Sequence, residues 1–91
     1  MKKWVALVRV VLKPAVNDPQ GLAIRGGLRQ LGFTDVESVR AGKVFEIRFG
    51  AADQSTADML VAEMCRRLLA NPVIEDFSYE LTPASDDGAA R

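Results

Sequence analysis

The 91-residue sequence has no histidine, one cysteine and no net charge, because 12 lysines and arginines balance 12 aspartates and glutamates. Without histidine there is no imidazole base or metal ligand. One cysteine cannot build a thiolate metal site or an internal disulfide. The low cysteine content fits a reducing compartment, and we therefore expect a cytoplasmic protein. The balanced charge provides no long-range attraction to nucleic acid or to anionic lipid.

The sequence also has no long apolar run. No stretch approaches the roughly 18 apolar residues of a membrane-spanning helix. The N-terminal segment MKKWVALVRVVL starts like a signal peptide, but Arg9 interrupts its apolar run and no small-residue cleavage site follows before Lys13-Pro14. The alternation of side chains indicates a β-strand instead, whose wholly apolar face carries Trp4, Ala6, Val8, Val10 and Leu12.

The second face of this first strand is more apolar than a solvated face is expected to be. It carries Val5, Leu7, Arg9, Val11 and Lys13. We expect something to cover part of it, and ordinary exposed sheet surface is the alternative.

The segment from Asp53 to Leu81 predicts one helix followed directly by one strand. Its apolar residues recur at three- and four-residue spacing, which places on one helical face Ala57, Leu60, Val61, Met64 and Leu68. Asp53 or Ser55 is expected to cap the helix at its start. Asn71 is expected to end it in a left-handed conformation, just before Pro72.

The strand after this helix is predicted to open at Val73. Its side chains alternate, so that one face carries Phe77, Tyr79 and Leu81 and the other carries Ser78 and Glu80. The apolar pattern stops after Leu81. We therefore expect a single domain over residues 1–82 and a disordered tail over residues 83–91.

A shorter helix is predicted after the first strand. Asp18-Pro19 is a favourable start, with aspartate at the N-cap and proline at the first helical position, and Gly32 is a favourable end. Gly26-Gly27 inside the helix costs about 1 kcal/mol per glycine. Close packing of this helix on the sheet or on another helix explains these glycines better than a phosphate-binding loop, because GxGxxG and a following Lys-Ser/Thr are missing.

The segment from Phe33 to Phe49 allows two readings. A hairpin turning at Ala41-Gly42 is one, although that pair is a poor hairpin turn. The other is a single strand over Val36–Phe49, since apolar residues keep the same parity through Gly42. We favour the single strand. At about 45 Å it exceeds what a small domain needs, so its end is expected to pair with another subunit.

These elements follow the order β-α-β(β)-α-β, which predicts an α+β two-layer sandwich with an antiparallel sheet and two helices, related to the ferredoxin-like arrangement. Because its sheet needs cover on two sides, we expect an oligomer in which the sheet extends between subunits.

We find no complete active site in the sequence. Cys65 lies near the apolar face of a helix and has no visible base, which predicts a buried structural thiol. Glu75 and Asp76 point to opposite faces of a strand, so they form a poor acid-base pair. Arg40 and Lys43 flank Gly42 in a position to bind an anion, but a solvated charge pair or an interface salt bridge is the simpler role.

Five segments together resemble the PurS family, the small subunit of phosphoribosylformylglycinamidine (FGAM) synthase. They are Lys13-Pro14, Asp18 to Gly21, Val39-Arg40 with Gly42-Lys43, Met64 to Asn71 and Val73 to Phe77. The resemblance covers about residues 3 to 82. Each segment alone is weak evidence for the family, and the specificity of the resemblance comes from their order and spacing.

The resemblance implies a non-catalytic subunit in de novo purine biosynthesis. It would bridge a PurQ-type glutaminase, which releases ammonia, and a PurL-type synthetase, so that ammonia passes between them. It implies a homodimer or a dimer of dimers. No cofactor would be bound by this chain, whereas the complex would use ATP, Mg²⁺ and glutamine. The residues matching the family without an obvious core role are candidate partner contacts: Arg40, Gly42, Lys43, Asp18 and Gln20.

Two other functions compete with this reading. A small regulatory domain that binds a metabolite at a dimer interface uses the same architecture, and a small ligand alone would then stabilise it. An RNA-binding module places stacking aromatics in a basic strand, and residues 40–49 are a distant echo of that pattern. Phe45 and Phe49 share their face with Ile47, which favours core packing over base stacking.

Overall fold

The computed structural model describes residues 1–84, which form a three-stranded antiparallel sheet with two helices. The elements are β1 (Lys2–Leu12), α1 (Pro19–Gln30), β2 (Gly42–Ala51), α2 (Gln54–Met64) continued by a π-helical turn (Cys65–Leu69), and β3 (Glu75–Ala84). The strand order is β2-β1-β3. This arrangement confirms the predicted α+β class.

The central strand β1 pairs along almost its whole length with both neighbours. In the middle of the sheet Leu7 faces Glu46 on β2 and Glu80 on β3. Alternate residues of β1 therefore divide the sheet into two faces. The front face carries Trp4, Ala6, Val8 and Val10, all of which are buried. The other face, hereafter the open face, carries Val5, Leu7, Arg9 and Val11 with the residues paired to them.

Helix α2 lies over the front face and forms the core with it. Val61 and Cys65 pack against Val8 and Val10 in one cluster. A second cluster joins Trp4 to buried alanines, Ala51 and Ala57, and the Trp4 indole Nε1 donates to the Ala51 carbonyl oxygen at 3.2 Å. The burial of the Cys65 thiol confirms the structural role predicted for it.

The π-helical turn corrects the predicted apolar face of the second helix. The Ala70 N–H donates to the Cys65 carbonyl oxygen at 3.0 Å, five residues back. A π turn advances each residue by a smaller angle than an α turn, so it turns Leu69 toward the core and Leu68 away. Leu68 is 84% exposed, whereas Leu69 packs against the core.

The segment after this turn also departs from the expectation. Among residues 1–84 no residue other than glycine has a positive φ, so Asn71 is not a left-handed cap. Its side-chain oxygen instead accepts from the Val73 N–H at 3.1 Å. This turn delays the strand to Glu75, two residues after Val73, and β3 then runs to Ala84. The rest of the predicted disordered tail lies outside the described residues.

The predicted single strand over Val36–Phe49 is wrong, and so is the hairpin at Ala41-Gly42. β2 begins at Gly42, opposite Val11, and the preceding residues form turns and irregular structure. The Ala41 N–H donates to the Asp18 carboxylate instead of continuing a ladder. Val39 continues the alternation that predicted a longer strand, but it does not lie in a strand. Its partial burial comes from the contact with helix α1 that is described below.

Helix α1 starts and ends as predicted, but it does not pack on the sheet. Asp18 is its N-cap, and Gly32 follows its C-cap with φ of 102°. A Cβ at Gly26 or Gly27 would meet no atom within 4 Å, so these glycines do not mark close packing in this chain. The molecule is accordingly long and flat, with extents of 51 × 32 × 16 Å.

Candidate partner-contact site

The predicted contact residues lie where α1 joins the sheet. Three segments meet there: the loop 13–18, the first turn of α1 and the segment 37–41 that precedes β2. They are joined by two side chains, Asp18 and Arg40, and are hereafter called the clasp. Two of its segments follow β1 and precede β2, so the clasp forms at the sheet end where Val11 and Gly42 pair.

Asp18 holds the clasp together from the inside. Its side chain accepts from the Gly21 N–H at 3.0 Å, which caps α1, and from the Ala41 N–H at 2.8 Å, which anchors the segment before β2. The residue is only 5% exposed. These two N–H donors, Gly21 first, and the Arg40 charge lower the pKa of Asp18 below its usual value of 3.8, against the effect of burial. The carboxylate is therefore ionised over the whole physiological range.

Arg40 closes the clasp from the outside. Its Nη2 lies 2.7 Å from the Lys13 carbonyl oxygen, 3.2 Å from that of Leu12 and 3.3 Å from that of Val16. Leu12 is the last residue of β1 and still pairs with Glu75, whereas Lys13 and Val16 belong to the loop that follows. The guanidinium thus ties the end of β1 to this loop.

Two glycines allow the backbones of the clasp to approach. A Cβ at Gly21 would overlap the Val39 carbonyl oxygen, and a Cβ at Gly42 would lie 2.6 Å from the Val10 carbonyl oxygen. Arg25 Nε, one helical turn after Gly21, donates to the Glu37 carbonyl oxygen at 2.8 Å. Helix α1 is therefore oriented by backbone contacts to the segment 37–41, and this contact accounts for the partial burial of Val39.

Four of the five predicted residues line one cleft of about 270 Å³, between the clasp and the sheet. Its lining includes Asp18, Gln20, Gly42 and Lys43. Arg40 lines a neighbouring cleft of about 480 Å³, and Asp18 belongs to both. The structure therefore brings the five residues together. Arg40 and Gly42 have architectural roles that the sequence did not reveal, and Asp18 anchors Ala41 in addition to its predicted role as N-cap.

Glu75 also lines the smaller cleft, although the sequence did not predict it as a site residue. Its Oε1 accepts from the Asn71 N–H at 2.7 Å, and its Oε2 lies 3.9 Å from Lys43 Nζ. Asp76 points to the open face and pairs with Lys13 at 2.8 Å, as expected for adjacent strand residues. No local pattern connects Glu75 to Lys43, because their proximity depends on both strands being placed beside β1.

Within residues 1–84 no group of three or more histidine, cysteine, aspartate or glutamate side chains is arranged to hold a metal ion. In the same part of the chain no helix has the length and apolar character needed to cross a bilayer. Cys65 is buried, and burial raises the pKa of its thiol. A neutral, inaccessible thiol is a poor nucleophile. The cleft presents to solvent the ammonium group of Lys43 and the amide of Gln20.

The family model for PurS, described as phosphoribosylformylglycinamidine (FGAM) synthase, matches residues 5–83. The chain belongs to the PurS family. The match runs from Val5 within β1 to Pro83 near the end of β3 and includes the whole clasp. The subunit PurS of FGAM synthase from Bacillus subtilis is 46% identical over 74 residues, covering 81% of this chain and 87% of the relative. That from Synechocystis sp. is 45% identical over 75 residues, covering 82% and 75%.

Solved PurS structures share the fold. PurS from Thermus thermophilus superposes with a TM-score of 0.82 at 40% identity, covering 91% of this chain and 99% of that one. A chain of the PurLQS structure from Thermotoga maritima superposes with a TM-score of 0.79 at 28% identity, covering 92% and 100%. The PurS fold thus extends over nearly the whole of both chains.

Proposed function

We propose that this chain is the PurS subunit of FGAM synthase in de novo purine biosynthesis. It acts in the cytoplasm, self-associates as a homodimer or dimer of dimers, and bridges a PurL-type synthetase and a PurQ-type glutaminase so that ammonia passes between them. The observation that carries the proposal is the PurS family match over residues 5–83. ATP, Mg²⁺ and glutamine are used by the assembly and not bound by this subunit.

The surface of the chain supports a bridging role. Helix α1 leaves apolar side chains uncovered, with Leu22 57% and Ile24 42% exposed, and the clasp holds this helix away from the sheet. Contiguous apolar surface outside a small core is typical of a protein that binds others. We propose that the partner enzymes contact the clasp cleft and α1, where Gln20 and Lys43 are exposed.

The test is FGAM synthesis by the PurL-type and PurQ-type enzymes with and without this chain, once with glutamine and once with ammonium as nitrogen source. A bridging subunit raises the glutamine-driven rate and leaves the ammonium-driven rate unchanged. No effect on either rate contradicts the proposal. An equal effect on both rates contradicts the coupling role, because the chain would then act on the synthetase itself.

A charge reversal in the cleft makes the test specific to the site. Lys43→Glu removes an exposed cation whose ion pair with Glu75 is long, at 3.9 Å, so the fold is expected to survive. We expect the glutamine-driven rate at limiting subunit concentration to fall roughly tenfold. Arg67→Glu, the matched reversal on the π-helical turn after α2, is expected to leave that rate unchanged.

A further inference from the structure

The two edges of the sheet differ in how far they are blocked. Within residues 1–84, β2 and β3 each pair with β1 alone, so each has an outer row of backbone N–H and C=O groups. Natural edge strands are often protected by proline or by a bulge. Strand β3 has Pro83 near its end, whereas β2 contains no proline and keeps one register with β1 over ten consecutive pairs. The edge of β2 is therefore able to pair with a further strand.

The sequence of β2 is nearly symmetrical about its centre. Ile47 has a charged residue on each side, Glu46 and Arg48, and a phenylalanine lies beyond each of them, at Phe45 and Phe49. The three apolar residues pair with front-face residues of β1, whereas the two charged residues belong to the open face. Within one copy Arg48 Nε lies 4.0 Å from Glu46 Oε1, at the limit of an ion pair. Only the sign of the charge differs between the two halves of the strand.

This symmetry makes β2 complementary to a second copy of itself. Antiparallel pairing about a two-fold axis through Ile47 places Phe45 of one copy opposite Phe49 of the other. The same axis places Glu46 opposite Arg48, on both sides of the centre. Aromatic pairs and pairs of opposite charge both stabilise neighbouring strands. Moving the axis by one residue, to Glu46 or to Arg48, would place two like charges opposite each other.

The packed helix leaves room for this pairing. Val61 of α2 clusters with Val8 and Val10, so the helix lies above β1. Adjacent strands are about 4.8 Å apart, and the pairing therefore separates the two β1 strands by roughly 14 Å. Packed helices need roughly 8–10 Å between their axes. The two α2 helices accordingly fit side by side on the enlarged front face.

We propose that β2 pairs with β2 of a second copy of this chain, antiparallel and centred on Ile47, to form a six-stranded sheet. The paired segment runs from Lys43 to Ala51, so about nine backbone hydrogen bonds join the two copies. Two ion pairs on the open face, each between Glu46 and Arg48, fix the register. The proposal rests on the self-association included in the proposed function and assigns it to one edge of the sheet.

Cysteine cross-linking tests the position of the axis. In Ile47→Cys the two introduced thiols lie opposite each other if the strands pair as proposed, and a short bis-maleimide is expected to join most chains into covalent dimers. Leu81→Cys is the matched control, because Leu81 is half-buried like Ile47 and lies in the same row on β3, opposite Ala6. This variant is expected to stay monomeric on a denaturing gel. The native Cys65 thiol is buried and is not expected to react.

Charge reversals in the Ile47→Cys chain test the register. Glu46→Arg and Arg48→Glu are each expected to slow cross-linking by more than about tenfold, because each places like charges opposite each other twice. An equal mixture of the two variants is expected to recover the original rate, since one strand then carries two cations and the other two carboxylates. Both reversals in one chain exchange the charges and are also expected to restore it.

Each possible result decides the assignment. An oligomer that does not cross-link at position 47, or that cross-links equally at positions 47 and 81, overturns the proposal. If thermal unfolding shows that Ile47→Cys does not fold, a mixture of Glu46→Cys and Arg48→Cys gives the same test at exposed positions. Glutamine-driven synthesis is measured separately with the unaltered chain. Stimulation of that reaction without cross-linking would disprove the strand pairing and leave the proposed function intact.

Discussion

Helices α1 and α2 have nearly equal lengths, 12 and 11 residues, but they meet the rest of the chain in different ways. Helix α2 buries Ala57 and Val61 against the sheet. Among the residues of α1 only Gly21 is buried, and the helix is oriented by hydrogen bonds through Asp18 and Arg25. One helix is therefore held by apolar packing within the chain. The other is positioned by polar contacts and keeps its apolar side chains outside.

The difference shows how a small chain can be stable and still present apolar surface to another molecule. Apolar burial supplies the larger part of folding free energy, and α2 with the front face provides it. Hydrogen bonds to backbone groups can orient a helix while burying little apolar surface. The clasp therefore holds α1 in place without covering the apolar side chains of that helix. This surface is then left for another molecule.

The largest expected effect is in the packed layer. Val61→Ala removes two methyl groups from a fully buried site, which is expected to lower stability by about 2–3 kcal/mol and the Tm by roughly 10 °C. Leu68→Ala on the following π-helical turn is the control, and its Tm is expected to stay within about 2 °C of the unaltered chain. If Leu68→Ala were as damaging as Val61→Ala, the buried face of this helix would be wrongly assigned.

The second prediction concerns glycines of α1. Gly21→Ala introduces a Cβ into the Val39 carbonyl oxygen, so a backbone shift is required, and a loss of about 1–2 kcal/mol is expected. Gly26→Ala adds a methyl group in open space and is expected to stabilise by about 0.5–1 kcal/mol, because alanine favours helix. Urea denaturation measures both. The two substitutions are expected to change the free energy of unfolding in opposite directions. Stabilisation by Gly21→Ala would contradict the close contact in the clasp.

The third prediction is a pH dependence in the clasp. Because the folded pKa of Asp18 is lowered, its contribution to stability is complete above 3.8 and is lost as the pH falls below that value. Asp18→Asn keeps one acceptor oxygen but places an amide NH₂ against one of the two N–H donors, and the Tm at pH 7 is expected to fall by about 5 °C. The difference from the unaltered chain should shrink as the pH is lowered through 3.8. A difference that is constant between pH 7 and about pH 3 would contradict the ionised cap.

The smallest expected effect concerns the polar contact between α2 and β3. The Tyr79 hydroxyl donates to Asp58 Oδ1 at 2.7 Å, and this bond, together with burial and the Asp58 charge, raises the pKa of Tyr79 to about 12. A raised pKa means that the stabilisation is complete below pH 10 and is lost between pH 10 and about 12. Tyr79→Phe is expected to cost about 0.5–1 kcal/mol at pH 7. Thermal unfolding at alkaline pH should show less loss for this variant than for the unaltered chain.

The sequence predicted the packed layer better than the clasp. Alternation in β1 and β3 and the helical spacing of Ala57 and Val61 identified the core, because these patterns are local. The π-helical turn has no sequence signature, so the position of Leu68 was predicted incorrectly. The clasp depends on contacts between residues far apart in the chain, such as Asp18 with Ala41. Arg40 was therefore predicted as a contact residue, while its hydrogen bonds to the end of β1 were not.

Hydrogen–deuterium exchange with and without the PurL-type and PurQ-type enzymes tests most directly whether the clasp end is the contact surface. The account predicts slower exchange on complex formation in residues 13–43, which contain the clasp and α1. It predicts unchanged exchange in residues 54–69, where α2 is already packed on the sheet. Protection confined to residues 54–69, with the clasp and α1 unchanged, would contradict it.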